Sequence, residues 1–569
     1  MDLTKAELGR RIDQARGRGA ADLVIKGGSF LNVATGELDR GDIALCGDWI
    51  VGTHDAYRGV REIDGRGRVA VPGFIDTHVH IESSLVTPFE FERAVLPRGT
   101  TTAICDPHEI ANVLGAEGVR YFLDAARALR MTLKVQLSSC VPATGLETSG
   151  ARLDAADLAA LSDHPAVLGL AEMMNFPGVL AGDNAVLDKL IAFAGWHVDG
   201  HAPLVRGYDL NGYLATAIRT DHESTGFDEA REKLGKGMQV LMREGSIAKD
   251  VAPLAPLLSE ATWPFVAFCT DDRNPLEILD EGHVDFAIRK AIAEGVPPLV
   301  AYRAAGCGAA RAFGLFDRGQ IAPGRRADIV LLDDLEDCAV AQVICGGMPI
   351  DDAAFAGRAE VPPVGHGSVR RSPVAPDLFA APAAGPSGPV IGAIEHSLLT
   401  DHLHLELPYR DGLRLPDPTQ GVHKLCVLER HGRSGTVGRG FVKGFGSLAG
   451  ALASSIGHDS HNLIVVGDDD EAMALAVNRL IELQGGCVAV AGGAVRAELA
   501  LPVAGLMSER PFEEVATRLR ELRRAAVAMR CAMAEPFLQL AFLPLPVIPH
   551  LKLTDLGLVD VDRFELIAR

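Results

Sequence analysis

Several features that would mark a membrane protein or a nucleic-acid-binding protein are missing from this 569-residue chain. No apolar run reaches the roughly 18 residues that a membrane-spanning helix needs. Basic residues are in the minority, because 55 Lys and Arg stand against 75 Asp and Glu, and the formal net charge is −20. Such a balance argues against a basic face for nucleic acid or anionic lipid. We therefore expect neither nucleic acid nor a membrane among its partners.

Paired cysteine motifs and targeting signals are also missing. The ten cysteines form no CxxC pair and follow no spacing of a disulfide framework, which fits reduced thiols in a cytoplasm. The N-terminal stretch MDLTKAELGRRIDQARGRG has no apolar core of a signal peptide, and its helical spacing predicts a capped surface helix. The glycine-rich GRGFVKGFG lacks the Lys-Ser/Thr of a P-loop, so we expect no phosphate site there. We expect a cytoplasmic protein.

The chain is longer than one hydrophobic core normally organises, so we expect at least two domains. Short strands and turns fill residues 22–71, and the segment GQIAPGRRADIVLLDD (319–334) has the same style. Between them, apolar strand-like runs alternate with helical stretches, which is the βα pattern. This arrangement predicts a small β-sandwich domain built from the two segments that flank an α/β barrel.

Eight strand-like runs can be found over about 250 residues, which is the size of a TIM-like (β/α)8 barrel. Two of them, HVDGH and IRTDHES, are weak as strands and are placed mainly by their position in the alternation. The eight runs are VAVPGFIDTHVH, TTAICDPHE, LKVQLSSC, VLGLAEMMN, HVDGH, IRTDHES, QVLMREGS and FVAFCTDD.

The predicted division of the chain follows these changes in the pattern of apolar and polar residues. The Pro/Ala/Gly-rich RRSPVAPDLFAAPAAGPSGP (370–389) is typical of a linker or a surface segment, and strands and helices resume after it. We predict five parts: an N-terminal helix with part of the β-sandwich (1–70), the barrel (71–318), the returning β part (319–365), a linker (366–390), and a C-terminal α+β domain (391–569).

The first barrel run, VPGFIDTHVH, ends in polar residues at alternate positions. Asp76, His78 and His80 therefore share one face while the strand lasts. Polar groups at the carboxyl ends of barrel strands line active sites, and two imidazoles one residue apart suit a metal. Taken alone, the pair fits a hydrogen-bonded pair of barrel-mouth histidines equally well.

Other strand ends favour the metal. Further runs end on Glu172, His201, His222, and the adjacent pair Asp271 and Asp272. Each residue alone is more often a satisfied polar group than a ligand. Their occurrence in the same register of the alternation predicts a metal site formed by His78, His80, Glu172, His201, His222 and Asp271.

These motifs resemble the amidohydrolase superfamily, as do PGFIDTHVH, LVAYRAAGCGAARAFGL and GQIAPGRRADIVLLDD. A closer similarity is to adenine deaminases of the bacterial type. It rests on HVHIESSLVTPFEFERAVLPRGTTTAICDPHEIANVLG, CTDDRNP, GFVKGFG and HDSHNLIVVGDDDEAMALAVNRL, and so covers nearly the whole chain. The resemblance implies two divalent metal ions, with iron or manganese favoured. The ligand types alone suit zinc equally well.

The chemistry of such a centre assigns a role to each predicted ligand. His78 and His80 would bind one metal and His201 and His222 the other, with the two oxygens of Glu172 bridging them. A metal lowers the pKa of bound water from about 15.7 to near 7, so hydroxide becomes available to attack purine C6. Asp271 would accept the proton and deliver it to the departing amino group.

Recognition of the purine is predicted to involve Glu82, His108, Glu109 and Asp272. Alternatively, Glu82 and Glu109 orient the ligating imidazoles, and His108 is a further metal ligand. In the C-terminal region, His458, Asp459 and His461 form another metal or substrate site, a loop that caps the barrel mouth, or a subunit contact.

We therefore expect a metal-dependent homodimeric enzyme that converts adenine and water into hypoxanthine and ammonia. Another amidohydrolase reaction, such as hydrolysis of a cyclic amide or an N-acyl compound, is the alternative. A non-catalytic scaffold is disfavoured, because all six predicted ligands are present.

Overall fold

The computed structural model describes residues 3–567 of the chain. Its first element is the helix Lys5–Ala15, which begins after Thr4. The Thr4 hydroxyl accepts a hydrogen bond from the Glu7 N–H, and the Glu7 carboxylate accepts one from the Thr4 N–H. This reciprocal capping box stabilises the first turn and confirms the predicted capped helix. Met1 and Asp2, the first two residues of the predicted stretch, lie outside the described residues.

The two segments that flank the barrel join in one eight-stranded sheet. The returning strand Ile329–Asp334 pairs antiparallel with Val69–Pro72, with Ile329 opposite Pro72. Separate apolar clusters cover the two faces of this sheet, so both faces are packed. The sheet's strands are Ala21–Asn32, Glu37–Cys46, Trp49–Thr53, Gly59–Asp64, Val69–Pro72, Ile329–Asp334, Ala339–Cys345 and Met348–Pro349.

Eight parallel strands follow one another around the barrel, as the sequence predicts. Strands one to five pair in succession, and strands six to eight form a second run. A bridge between Val79 and Asp271 joins the first strand to the eighth, and the Arg219 N–H donates to the Val198 carbonyl between the fifth and sixth. In chain order the strands are Phe74–Val79, Thr100–Cys105, Thr132–Leu137, Val167–Met173, His197–Gly200, Thr220–Asp221, Gln239–Arg243 and Val266–Cys269.

Helices surround the barrel and bury its outer face. The two weakest predicted strands are short, four and two residues long, and their neighbours hold them in place. The helices are Pro88–Val95, His108–Leu114, Ala116–Ala128, Ala155–Ala159, Phe176–Ala181, Asn184–Ala192, Gly207–Leu214, Phe227–Gly235, Val251–Leu254, Pro275–Asp280, Val284–Ala293, Pro298–Arg303 and Ala309–Ala312.

The predicted linker runs along the surface of the C-terminal domain. Its Phe379 is fully buried in an apolar cluster of that domain. The Val374 N–H donates to the side chain of Asn478 at 2.7 Å, and the Asn478 amide donates back to the Val374 carbonyl at 2.9 Å. These contacts hold the segment against the helix that carries Asn478.

The C-terminal domain has the mixed α+β content that the sequence predicts. Its eight-stranded sheet contains Ser387–Ala393, Thr400–Glu406, Val422–Leu428, Val437–Lys443, Ala451–Ser454, Leu463–Gly467, Gly486–Ala491 and Ala494–Ala500. Its helices are Asp470–Leu483, Phe512–Ala528 and Pro536–Ala541. Its remaining strands are Tyr409–Arg410, Leu413–Arg414, Leu551–Thr554, Gly557–Asp560 and Glu565–Leu566.

One continuous apolar core joins the barrel to the C-terminal domain. It contains Ile110 and Val141 of the barrel together with Leu452 and Leu543 of the C-terminal domain. Polar contacts add to it, since the Thr148 N–H donates to the Asp555 carboxylate at 2.9 Å. The domain is therefore fixed against the barrel mouth by burial of apolar surface.

All ten cysteines are buried and unpaired. Among residues 3–567, no helix combines the length and the apolar character needed to cross a bilayer.

Candidate active site

The six predicted ligands meet at the carboxyl ends of the barrel strands. They leave the first, fourth, fifth, sixth and eighth strands, and each is at most 8% exposed. Their imidazole and carboxylate atoms fall into overlapping groups with the spacing of a metal site. The members are His78, His80, Glu172, His201, His222 and Asp271.

Glu172 lies at the centre of this cluster. Its Oε2 is 2.7 Å from His201 Nδ1 and 3.4 Å from His222 Nε2. Its Oε1 is 3.4 Å from His80 Nε2 and 3.6 Å from His78 Nε2. Oε2 therefore faces the His201 and His222 imidazoles, while Oε1 faces those of His78 and His80 and also lies 3.5 Å from His108 Nδ1. A carboxylate placed between two sets of imidazoles suits a bridge between two cations.

The ring nitrogens of the first-strand histidines converge on one point. His78 Nε2 and His80 Nε2 are 3.2 Å apart. His80 Nδ1 lies 2.9 Å from the Asp106 carbonyl, which can only accept a hydrogen bond, so the proton is on Nδ1 and the Nε2 lone pair is free. With both rings neutral and protonated at Nδ1, the two Nε2 atoms would offer their lone pairs to one cation. The residues present therefore fit a divalent metal, by donor type and by direction.

Asp271 is held from two sides at the end of the eighth strand. Its Oδ1 is 3.0 Å from His80 Nε2, and its Oδ2 accepts a hydrogen bond from the Arg243 guanidinium at 2.8 Å. The Asp271 backbone has φ of 54°, a left-handed conformation that costs energy in a residue other than glycine. The surrounding bonds keep the carboxylate aimed at the cluster.

Asp76 lies one layer deeper in the barrel than the two histidines. Its carboxylate accepts hydrogen bonds from the Thr270 N–H at 3.1 Å and the Thr270 hydroxyl at 2.6 Å. It also lies 3.3 Å from His283 Nε2. Asp76 therefore shares the strand face of His78 and His80, and it ties the first strand to the eighth.

The pKa values of the Glu172 and Asp271 carboxyls both shift downwards. Burial would raise the pKa of the Glu172 carboxyl, but hydrogen bonds from His201, His222, His78 and His80 outweigh it and hold the pKa well below its usual range. For Asp271, burial is outweighed by His80 and the Arg243 charge, and its pKa is also lowered. Both carboxyls are therefore ionised and suited to a cation.

The other predicted carboxylates occupy different surroundings. Asp272 lines the cleft beside the metal ligands and accepts a hydrogen bond from the Ser83 hydroxyl. Glu82 does not line this cleft. It borders a neighbouring cavity between the domains. Its Oε1 accepts the Ile110 N–H at 3.1 Å. Burial and the nearby Glu109 charge raise the pKa of Glu82 to about 7.

His108 and Glu109 join the barrel to the C-terminal domain. His108 Nδ1 is 3.1 Å from Asp106 Oδ2 and 3.5 Å from Glu172 Oε1. Glu109 Oε1 is 2.5 Å from His458 Nδ1, and its Oε2 contacts His461 Nε2. The C-terminal motif therefore reaches the cleft, as expected if it caps the barrel mouth or contributes to a metal or substrate site.

Two site residues were missed from the sequence. Arg243 ends the seventh strand and binds Asp271, Glu223 and Asp250. Glu223 follows His222 directly, and its Oε1 lies 3.4 Å from His222 Nε2. The strand-end rule that found the ligands also points to Arg243, although arginine is not a metal ligand.

The rest of the cleft wall comes from the C-terminal domain and is mostly apolar. The His458 and Phe542 rings are stacked, with centroids 4.4 Å apart and planes 8° apart. A cleft with catalytic groups on one side and an apolar wall on the other suits a flat, largely neutral substrate. The C-terminal lining residues are Leu398, His458, Asp459, Phe542, Leu545 and Ile548.

Buried carboxylates and imidazoles at the carboxyl ends of barrel strands suit a divalent metal. Residues 69–350 match the Amidohydrolase family, and this match defines the class as a metal-dependent hydrolase. Residues 397–565 match the Adenine deaminase C-terminal domain. The two matches cover the barrel with its returning strands and most of the C-terminal domain.

Individual relatives extend this similarity over nearly the full length. The chain is 62% identical over 564 residues to an adenine deaminase of Methylobacterium nodulans, covering 99% of this chain and 100% of the relative. It is 60% identical over 553 residues to an adenine deaminase of Gluconobacter oxydans, with 97% and 98% covered. An adenine deaminase of Brucella suis is 57% identical over 557 residues, with 98% and 96% covered. The chain therefore belongs to the adenine deaminase family of amidohydrolases.

Proposed function

We propose that this enzyme hydrolyses adenine to hypoxanthine and ammonia, with two divalent metal ions held by the six strand-end residues. The observation that carries the proposal is Glu172, whose Oε1 faces the histidines of the first strand and whose Oε2 faces His201 and His222. Names of relatives that share most of the sequence support adenine as the substrate.

His78 and His80 would hold one ion and His201 and His222 the other, with Glu172 between them. Bound divalent metal supplies a water of low pKa and so a nucleophile at neutral pH. The chain's residues fix the ligand directions, since Asp106 orients His80 and the Glu172 carboxylate is shared by both pairs. Imidazole and carboxylate ligands suit manganese, iron and zinc, and the family resemblance favours iron or manganese.

Asp271 is the proposed proton carrier. Its Oδ1 faces the metal ligands while Arg243 holds its Oδ2, so one oxygen is free to accept a proton and release it to the departing amino group. Ammonia is a poor leaving group until it is protonated. Arg243 and the constrained backbone keep this carboxylate in place through both transfers.

Asp272, His108 and Glu109 are the proposed polar contacts of the purine, because all three line the cleft. Glu82 lies behind this wall, which favours its alternative role as a supporting residue for the segment that begins at His108. A homodimer in the cytoplasm remains our expectation for assembly and location.

Metal content and adenine turnover, measured together, test the proposal. His78→Ala and His201→Ala should lower both, because each removes a ligand from a different pair. His54→Ala is the matched control, since its side chain is 54% exposed in the flanking sheet. Full metal occupancy with normal turnover in both site variants would refute the assignment of these histidines as metal ligands.

A further inference from the structure

The part of the cleft supplied by the C-terminal domain contains a buried carboxylate oxygen, that of Asp459, without a hydrogen-bond partner in the described part of the chain. Asp459 is 1% exposed and lines the cleft. Within residues 3–567, its Oδ2 has no hydrogen-bond partner. Its other oxygen, Oδ1, lies 3.7 Å from His108 Nε2, which is too long for a hydrogen bond. A buried carboxylate oxygen without a donor is costly, so a donor from a ligand is expected there.

The surroundings of Asp459 fix its position. The preceding residue, His458, is held at Nδ1 by Glu109 and stacks face to face on Phe542. His461, two residues after Asp459, contacts the other oxygen of Glu109. Asp459 is therefore presented by a segment that is fixed at both ends, and its carboxylate does not have to be ordered when a ligand binds.

The donor can be identified from the shape of the substrate. If C6 of adenine faces the metal ligands, the opposite edge of the flat base, which carries N3 and N9, is directed towards the C-terminal wall. In free adenine N9 carries a hydrogen and is a donor. In a nucleoside the same atom carries the sugar and donates nothing. A carboxylate oxygen on this wall therefore distinguishes the two.

We infer that Asp459, positioned by His458, accepts a hydrogen bond from N9–H of the bound base and so selects free adenine over N9-substituted purines. This inference rests on the proposed function. It assigns to the C-terminal domain a specificity-determining residue of the reaction, whereas the barrel provides the metal ligands and the proton carrier.

The test compares adenine with 9-methyladenine in the full-length, metal-loaded enzyme. The wild type should prefer adenine, since methylation removes the donor. Asp459→Ala should lower kcat/KM for adenine by roughly 10–100-fold, the range for a hydrogen bond to a charged group, while kcat/KM for 9-methyladenine does not fall. Asp459→Asn keeps an acceptor oxygen and should recover part of the preference. Metal content should stay unchanged in both variants.

Asp555→Asn is the matched control, because Asp555 is also a buried C-terminal carboxylate but already binds Thr148. It should leave the ratio of the two substrates unchanged. Equal losses for adenine and 9-methyladenine in Asp459→Ala would overturn the inference, and so would the loss of one metal equivalent, which would make Asp459 a ligand.

A second measurement needs no variant and covers the case in which Asp459→Ala does not fold. Purine should inhibit the wild type at least about tenfold more strongly than 9-methylpurine, and equal inhibition would overturn the inference. A wild type that turns over no adenine would refute the proposed function itself. Adenine turnover with an unaltered preference in Asp459→Ala would refute only the role of Asp459.

Discussion

The barrel side and the C-terminal side of the cleft are built on opposite principles. On the barrel side, Glu172 and Asp271 each contact several charged partners, and their positions are over-determined. On the C-terminal side, Phe542, Leu545 and Ile548 form an apolar surface, and Asp459 has one oxygen without a hydrogen-bond partner among residues 3–567. The first side is suited to holding charge, and the second is suited to choosing a flat ligand.

Under the proposed roles, this difference separates catalysis from selection within one cleft. Losses on the barrel side should reduce the rate with every substrate, because they remove groups that act on the reacting atoms. Losses on the C-terminal side should change which substrates are accepted and should leave metal content alone. Single substitutions on each side of the cleft therefore test this comparison directly.

The largest effect is expected from Asp271→Asn. The amide keeps the size and one oxygen that can face a metal, but it cannot accept the proton. Turnover of adenine should fall by at least roughly 10²–10⁴-fold, while much of the metal is retained. The measurement is kcat with metal content on the same preparation.

Asp272→Asn is the matched control for that substitution. Asp272 is the neighbouring residue and accepts a bond from Ser83. Its variant should weaken substrate binding or reduce the rate less severely. If Asp272→Asn is inactive while Asp271→Asn works normally, the roles of the two residues are reversed.

A smaller effect is expected from Arg243→Met, which removes the guanidinium that holds Asp271 and Glu223. Loss of a residue that orients a metal-site carboxylate typically costs roughly 10–100-fold in activity or metal affinity. Arg243→Lys should recover part of kcat, because a positive charge remains. Activity equal to wild type in Arg243→Met would show that Asp271 needs no support from this side.

The sequence predicted the barrel side well because one local rule describes it. Residues at the carboxyl ends of successive strands face the same cleft, so Glu172 was found at the end of an apolar run, and His201 and His222 from the position of their runs in the alternation. Even the two-residue sixth strand was placed correctly, because the alternation around it left one position for it.

The C-terminal side could not be predicted in the same way. His458 meets Glu109 across about 350 residues of sequence, and Phe542 reaches the same cleft from another segment. No periodicity links residues so far apart, because their contact depends on how two domains pack. The sequence therefore marked His458, Asp459 and His461 as polar candidates without deciding among a metal site, a cap and a subunit contact.

On the C-terminal side, Phe542→Ala should raise KM for adenine by about 10-fold, the loss of one aromatic contact and its buried area. It should lower kcat much less, since the ring on which Phe542 stacks belongs to His458, which is not one of the six predicted metal ligands. A fall in kcat with KM unchanged would contradict this prediction and would assign Phe542 to the chemical step. Steady-state kinetics with adenine as the substrate make the distinction.

The last expected effect concerns stability and pH, and it leaves the activity unchanged. Lys552 is fully buried, donates to the Leu398 and Phe542 carbonyls, and burial lowers its pKa to about 7. In the unfolded chain the pKa is about 10.4. The unfolded state therefore binds the proton first as pH falls, so the free energy of unfolding rises with pH between about 7 and 10 and levels off on either side.

Lys552→Met should remove this contribution, which amounts to at most about 1.4 kcal/mol per pH unit for one proton. Denaturant unfolding at several pH values, with wild type beside the variant, gives the two slopes. Identical slopes would mean that Lys552 is charged in the folded protein.

The central claim is that two divalent ions at the strand ends carry out the deamination of adenine. Its most direct test is to strip the wild-type enzyme with a chelator and titrate it with Mn²⁺ while following adenine turnover. We predict no turnover without metal and a rise that ends at two equivalents per chain. Full turnover in the stripped enzyme, or a plateau at one equivalent, would contradict the claim.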